Sequence, residues 1–251
     1  RKSFNIAMVI AFISGVAIAF TGHSQAQHLM ESQPMKMAAS EALWEDSEDP
    51  AGWTVIGGID TENQENTWQI DVPYALSFLA YNKFEGAVPG MLTLQEEYEE
   101  KYGEGVNYIP PVKTVFWSFR IMVAFGGLMI LISMLGLFFS YKKTLEKKSW
   151  LLKVLLFTIP MPFIANTAGW IMTEIGRQPW TVFGYYTTAQ SISPNVSAGQ
   201  ILFSTISFST AYVVLAIVMI YMTARVAKQG PDQQVENKND VDLLSKEAFE
   251  S

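Results

Sequence analysis

Cysteine is missing from all 251 residues of this sequence. Its absence removes disulfides, iron–sulfur ligation, thiolate-bound haem and c-type haem attachment in one step. Histidine is almost missing too: His23 and His28, just past the first apolar run, are the two present. At a membrane exit their plain reading is interfacial solvation; histidine, methionine and carboxylates are the possible metal ligands that composition leaves. The chain has no P-loop, GxGxxG, HExxH or GxSxG pattern and no internal repeat. Cations are outnumbered, 17 Lys and Arg against 24 Asp and Glu, for a formal charge of −7. No nucleic-acid partner is expected.

What is present is segregated. Hydrophobic residues make up 49% of the chain, and they gather in runs. A membrane span needs roughly 17–25 mostly apolar residues, and Phe4–Thr21, Val115–Ser140, Trp150–Glu174 and Ile201–Ala224 each qualify. The expected fold is an all-α polytopic membrane protein, with four transmembrane helices of a larger helical bundle plus an irregular outer loop domain. Expected helices cover 1–21, 114–141, 150–176 and 201–226. A long extracytoplasmic loop covers 22–113, a cytoplasmic loop 142–149, a second outer loop 177–200 and a cytoplasmic tail 227–251. The first run, behind Arg1-Lys2 and ahead of SQAQ, also has the shape of a signal peptide, which predicts a mature N-terminus near Gln27. Three further runs favour a retained span.

Short-loop cations set the expected orientation. Lys142, Lys143, Lys147 and Lys148 lie between runs two and three, Arg1 and Lys2 precede run one, and Arg225 and Lys228 follow run four. These regions are expected in the cytoplasm, with both termini inside a bacterial cytoplasmic (inner) membrane. The segment from Gly22 to Lys113 holds four lysines against 16 acidic residues and is expected outside. In it, MKMAASEALWE reads as a helix, while WTVIGGID and NTWQIDVP read as short extended pieces. Trp44, Trp53, Trp68, Tyr74, Phe78, Tyr81 and Phe84 are its candidate core. The polar tail from Gln229 reads as a mobile end.

Within run three, Asn166, Trp170, Glu174 and Arg177 step by four, four and three, so they share one helical stripe. An ionisable residue costs about 2.5–3.5 kcal/mol at mid-bilayer on insertion scales and normally faces a bundle interior, marking a site. The plainer reading is an interfacial Glu174–Arg177 pair at the span's end, with Trp180 in the aromatic belt. Pro160 and Pro162 predict a bend. In run two, Arg120 lies about one turn inside the end; snorkelling to the interface is its plain reading, and packing is that of Met122. Two residues on a helix turn roughly 200°, so Arg120 and Met122 cannot share a face. Lys36 and Glu41 are five apart, which is not a same-face helical pair.

Three motifs, in order and in register with the spans, carry a family resemblance: KMAASEALWE (Lys36 to Glu45), FRIMV (Phe119 to Val123), and GWIMTE running into GRQPW (Gly169 to Trp180). Over residues 1 to 228 the chain resembles the C-terminal part of subunit I of cytochrome bd, the bacterial quinol oxidase. The long loop lacks an extra insertion and resembles the short Q-loop class. The resemblance implies Met122 as axial ligand of a low-spin haem b iron and Arg120 as the arginine stabilising that haem when reduced. It implies Glu174 at the iron of a high-spin haem b near haem d, with Arg177 as its basic neighbour. Trp170 is implied in electron transfer between haems, and Lys36 and Glu41 of the Q-loop in quinol oxidation.

The resemblance further implies quinol oxidised at the outer side and O2 reduced to water with cytoplasmic protons, building a proton gradient without pumping. A methionine ligand and a nearby cation both favour ferrous iron. Implied partners are subunit II, a source of the remaining subunit I helices, a possible small accessory subunit, the lipid membrane, quinol and O2. The family's earlier helices, bearing the other haem ligands and proton-entry acids, have no counterpart in this sequence, so this piece alone should not hold all three haems. The rival expectation is a membrane transporter or channel subunit with a Glu174/Arg177 polar path.

Overall fold

The fold is that of a computed structural model describing residues 2–249, with side chains described to residue 229. Among the described residues, eight α-helices, one 3-10 turn (Leu145–Lys147) and two small antiparallel sheets follow one another as α1 (Lys2–Ser32), α2 (Pro34–Glu41), β1 (Trp53–Asp60), β2 (Glu65–Val72), α3 (Ala75–Tyr81), α4 (Met91–Tyr102), α5 (Val112–Tyr141), the 3-10 turn, α6 (Ser149–Phe157), α7 (Met161–Ile175), β3 (Trp180–Val182), β4 (Tyr186–Thr187) and α8 (Ala198–Phe249). Among the described residues, four stretches are long and apolar enough to cross a membrane: Lys2–Ser32, Val112–Tyr141, Ser149–Ile175 and Ala198–Gln229. The first helix runs on through both histidines to Ser32. Residues 192–251 form a unit of their own, and the described side chains of α8 are exposed. The tail expected to be mobile lies, from residue 230, outside the residues with described side chains.

The third span is two helices, not one. Pro160 has no N–H to donate and its ring displaces the carbonyl four residues back, so α6 ends at Phe157 and α7 restarts at Met161. Helices α1 and α5 approach through small residues: a Cβ on Gly136 would lie 3.0 Å from Met8 Sδ. Helix α7 packs along α5 through Gly169, where a Cβ would lie 2.8 Å from Met122 Sδ. Dispersion between closely packed helices is what holds such a pair together in lipid, where apolar burial supplies little.

The long connecting segment is ordered by α2. Every residue from Met35 to Glu41 is buried, and Ala38 and Ala39 are small enough to let the helix lie flush on its neighbours. Met35, Met91, Leu94, Tyr98, Tyr108, Val115 and Phe116 join those alanines in one core; Met37, Ala51, Leu76, Ala80 and Val88 make a second. This differs from the expected aromatic core. Of the seven aromatics proposed for it, Trp44 is buried and Trp53 half-buried, while Trp68, Tyr74, Phe78, Tyr81 and Phe84 are exposed. Trp68 lies on β2, where every residue but the half-buried Asn66 is exposed, so neither face of that strand is covered. Methionine and alanine on α2 fill the space instead.

Candidate functional site

Helix α2 begins with Pro34 in its first turn, where a missing N–H costs nothing. It ends at Ala42 in the left-handed region, φ 52°. That closure aims Glu41 across to α5 and β1. Glu41 is wholly buried, and its Oε2 pairs with Arg120 Nη2 at 2.6 Å. Its Oε1 accepts a hydrogen bond from Trp53 Nε1 at 3.2 Å. Arg120 is itself buried and also donates through Nε to the Thr54 carbonyl at 3.1 Å and through Nη1 to the Ser40 carbonyl. Its guanidinium lies 3.8 Å from the Phe116 ring centroid and 5.5 Å from that of Trp53. The snorkelling reading of Arg120 therefore gives way to a caged cation bridging two elements.

Burial pushes the Glu41 carboxyl up to about 7, against the pull of Arg120 and the Trp53 N–H; Asp71 on β2 adds to the rise. Desolvation wins because no water reaches a carboxylate with no exposed surface. Beside this pair, an almost wholly apolar cavity of about 340 Å³ opens between β1 and α5, walled by Trp53, Val55, Ile56, Trp117, Arg120 and Ile121 among others. It is large enough for a small ring system. Arg120 and Trp53 line it, and Glu41 stands behind them.

Five residues back along α2, Lys36 turns elsewhere. Its stem lies on Gly176, where a Cβ would come 2.9 Å from Lys36 Cγ. Burial and the Arg177 cation hold its ammonium below the usual lysine range, with Glu174 partly opposing. Lys36 thus belongs with the Glu174–Arg177 pair, and the two Q-loop candidates are not brought to one site. Glu174 Oε2 accepts from Arg177 Nη2 one turn on, both side chains about one-third to two-fifths exposed. Trp180 is buried, stacked on Tyr108 at 5.4 Å and edge-on to Tyr102 at 5.0 Å, so it is no aromatic-belt residue here.

Met122 faces away from Arg120, as the helical period demands, with its thioether on the bare backbone of Gly169. Trp170, next to that glycine, is 67% exposed, and Asn166 is exposed. The charged stripe was expected to turn into a bundle interior; among the described residues its Asn166–Trp170 part faces a side that this chain does not cover. No group of three or more His, Asp or Glu able to hold a metal exists among the described residues. Met122 and Glu174 carry a soft and a hard donor respectively, on separate helices. Sequence reasoning missed Trp53, the Ser40 and Thr54 carbonyls and the cavity. Backbone acceptors leave no trace in side-chain identity, and Trp53 stood out only as a core candidate.

The family described as cytochrome bd terminal oxidase subunit I matches residues 1–231. Cytochrome bd ubiquinol oxidase subunit 1 of Bacillus subtilis (strain 168) is 54% identical over 253 residues, covering 99% of this chain and 53% of the relative. Cytochrome bd-II ubiquinol oxidase subunit 1 of Escherichia coli (strain K12) is 27% identical over 285 residues, covering 92% and 55%. The solved bd oxidase from Geobacillus thermodenitrificans superposes with a TM-score of 0.74 at 31% identity, covering 92% of this chain and 50% of that one. The chain spans about half the length of the relatives it matches. Nothing in these matches supports a transporter. The chain belongs to the cytochrome bd terminal oxidase subunit I family.

Proposed function

We propose that the chain is part of a haem-containing terminal oxidase that oxidises membrane quinol at the outer side and reduces O2 to water. The observation that carries the quinol half is the Glu41–Arg120 pair, closed off from water beside an apolar cavity against a membrane-length helix. A quinol ring is apolar at its faces and polar at its hydroxyls. The cavity wall suits the faces, and the Arg120 guanidinium offers donors to an oxygen. Glu41, held near neutrality, is the candidate proton acceptor, since a base works best with a pKa near the operating pH. Lys36 supports quinol oxidation from the Gly176 side, through the electrostatics of the Glu174–Arg177 end rather than by sharing the Glu41 cavity.

The donor set fits haem in part. Met122 would hold a low-spin haem b, with Arg120, on another face of α5, stabilising its reduced form, and Glu174 would hold a high-spin haem b near haem d, with Arg177 as its basic neighbour. Their partner ligands come from the remainder of subunit I. Bound haem would supply one-electron transfer and oxygen reduction, and Trp170, exposed on α7, would assist electron transfer between haems. Subunit II and the remaining helices complete the assembly in a bacterial cytoplasmic membrane, with a small accessory subunit a further partner. Both termini of this chain are on the cytoplasmic side.

In the full oxidase, Glu41→Gln should lower quinol-dependent oxygen consumption by about 10²-fold or more, the usual loss with a general base, with haem absorption unchanged. Full activity in this variant removes Glu41 from proton acceptance. A purified wild-type complex without haem bands would end the oxidase reading.

A further inference from the structure

Trp53 does two things at once: its indole ring walls the apolar cavity, and its N–H donates to Glu41 Oε1 at 3.2 Å. We propose that Trp53 is a positioning residue for the proton acceptor, its N–H fixing one carboxylate oxygen while Arg120 fixes the other. The proposal rests on the reading of Glu41 as that acceptor. No other hydrogen bond to Oε1 is present among the described residues, and the carboxylate is wholly buried. Without the indole N–H, that oxygen would be a buried acceptor with no donor, and Arg120 alone would hold the carboxylate.

The charged neighbourhood of Glu41 is small, which makes the effect readable. Arg120 from α5 favours the ionised form and Asp71 from β2 disfavours it. From α4, Tyr98 stays neutral, its phenol pushed up to about 12 by burial. Lys36, on the same helix, is directed to Gly176. A hydrogen bond that favours the carboxylate must lower its proton affinity, so losing it widens the acid range in which Glu41 is already protonated and cannot accept.

The test is Trp53→Phe in the full oxidase, reading the pH profile of kcat/KM for quinol alongside the haem spectrum. The acid limb should move up by about one pH unit, the scale of one hydrogen bond to a charged group, with haem absorption intact. Should the Phe variant fail to assemble, benzothienylalanine at position 53 carries the test, since sulfur replaces the N–H and the ring keeps its size. A limb that moves with benzothienylalanine supports the hydrogen bond. One that moves only with Phe assigns the effect to the cavity wall and overturns the proposal. An unmoved limb in both, with Glu41→Gln abolishing it, overturns the role of Trp53 and spares that of Glu41. A Glu41→Gln enzyme that keeps the wild-type limb removes the reading on which both stand.

Discussion

Arg120 is the residue on which the site turns, because it satisfies oxygens from two elements while held among aromatic rings. Breaking a buried ion pair from one side costs about 3–5 kcal/mol, since the abandoned charge must be neutralised or hydrated. Arg120→Leu in the full oxidase should therefore lose about that much stability, seen as a large fall in the thermal midpoint. Glu41→Leu should be nearly as damaging, for it leaves the guanidinium with only the two carbonyls. The double variant should recover much of the loss, as two apolar residues can replace a buried pair at little cost. Strictly additive losses would mean that the pair is not coupled. At this scale, the divergence of Arg120 and Met122 was legible because it is a matter of helical period alone. The pairing of Arg120 with Glu41 was not: the two are 79 positions apart and lie on different elements.

At the scale of elements, the spans, the proline break, the helix at MKMAASE and both strands of the hairpin could be read from the sequence, each having a local cause. The core of the connecting segment could not, since which of its residues are covered depends on where the chain places α2 and α5. The contact between α5 and α7 is equally non-local, yet it has a single-atom handle. A methyl group at Gly169 would come 2.8 Å from Met122 Sδ. The thioether is the flexible end of its side chain, so it should move while the helices stay. Under the proposal that Met122 ligates a low-spin haem, Gly169→Ala should shift that haem's absorption and midpoint potential, and Met122→Leu should abolish its low-spin signature because leucine offers no lone pair. An unaltered spectrum in Gly169→Ala would show that this contact does not position the sulfur.

For the whole molecule, the informative property is the segregation of charge, which fixes an expected topology without specifying any contact. Four lysines crowd the short link between α5 and α6, and sixteen carboxylates against four lysines lie in the segment from Gly22 to Lys113. Loop cations resist translocation and so stay in the cytoplasm, whereas acidic residues contribute little either way. The proposed orientation puts the β1–β2 turn outside and the lysine-rich link inside. These 251 residues hold no cysteine, so an introduced thiol is the only one among them, and labelling is compared with the unsubstituted oxidase. Glu62→Cys in the exposed hairpin turn and Lys142→Cys in the link each introduce one thiol on an exposed position. In intact cells making the full oxidase, stripped of any outer barrier, a membrane-impermeant maleimide should label this subunit through Cys at 62 and not through Cys at 142. Permeabilised cells should show both. Labelling of position 142 alone in sealed cells would invert the topology, and with it the side on which the Glu41 cavity releases quinol protons.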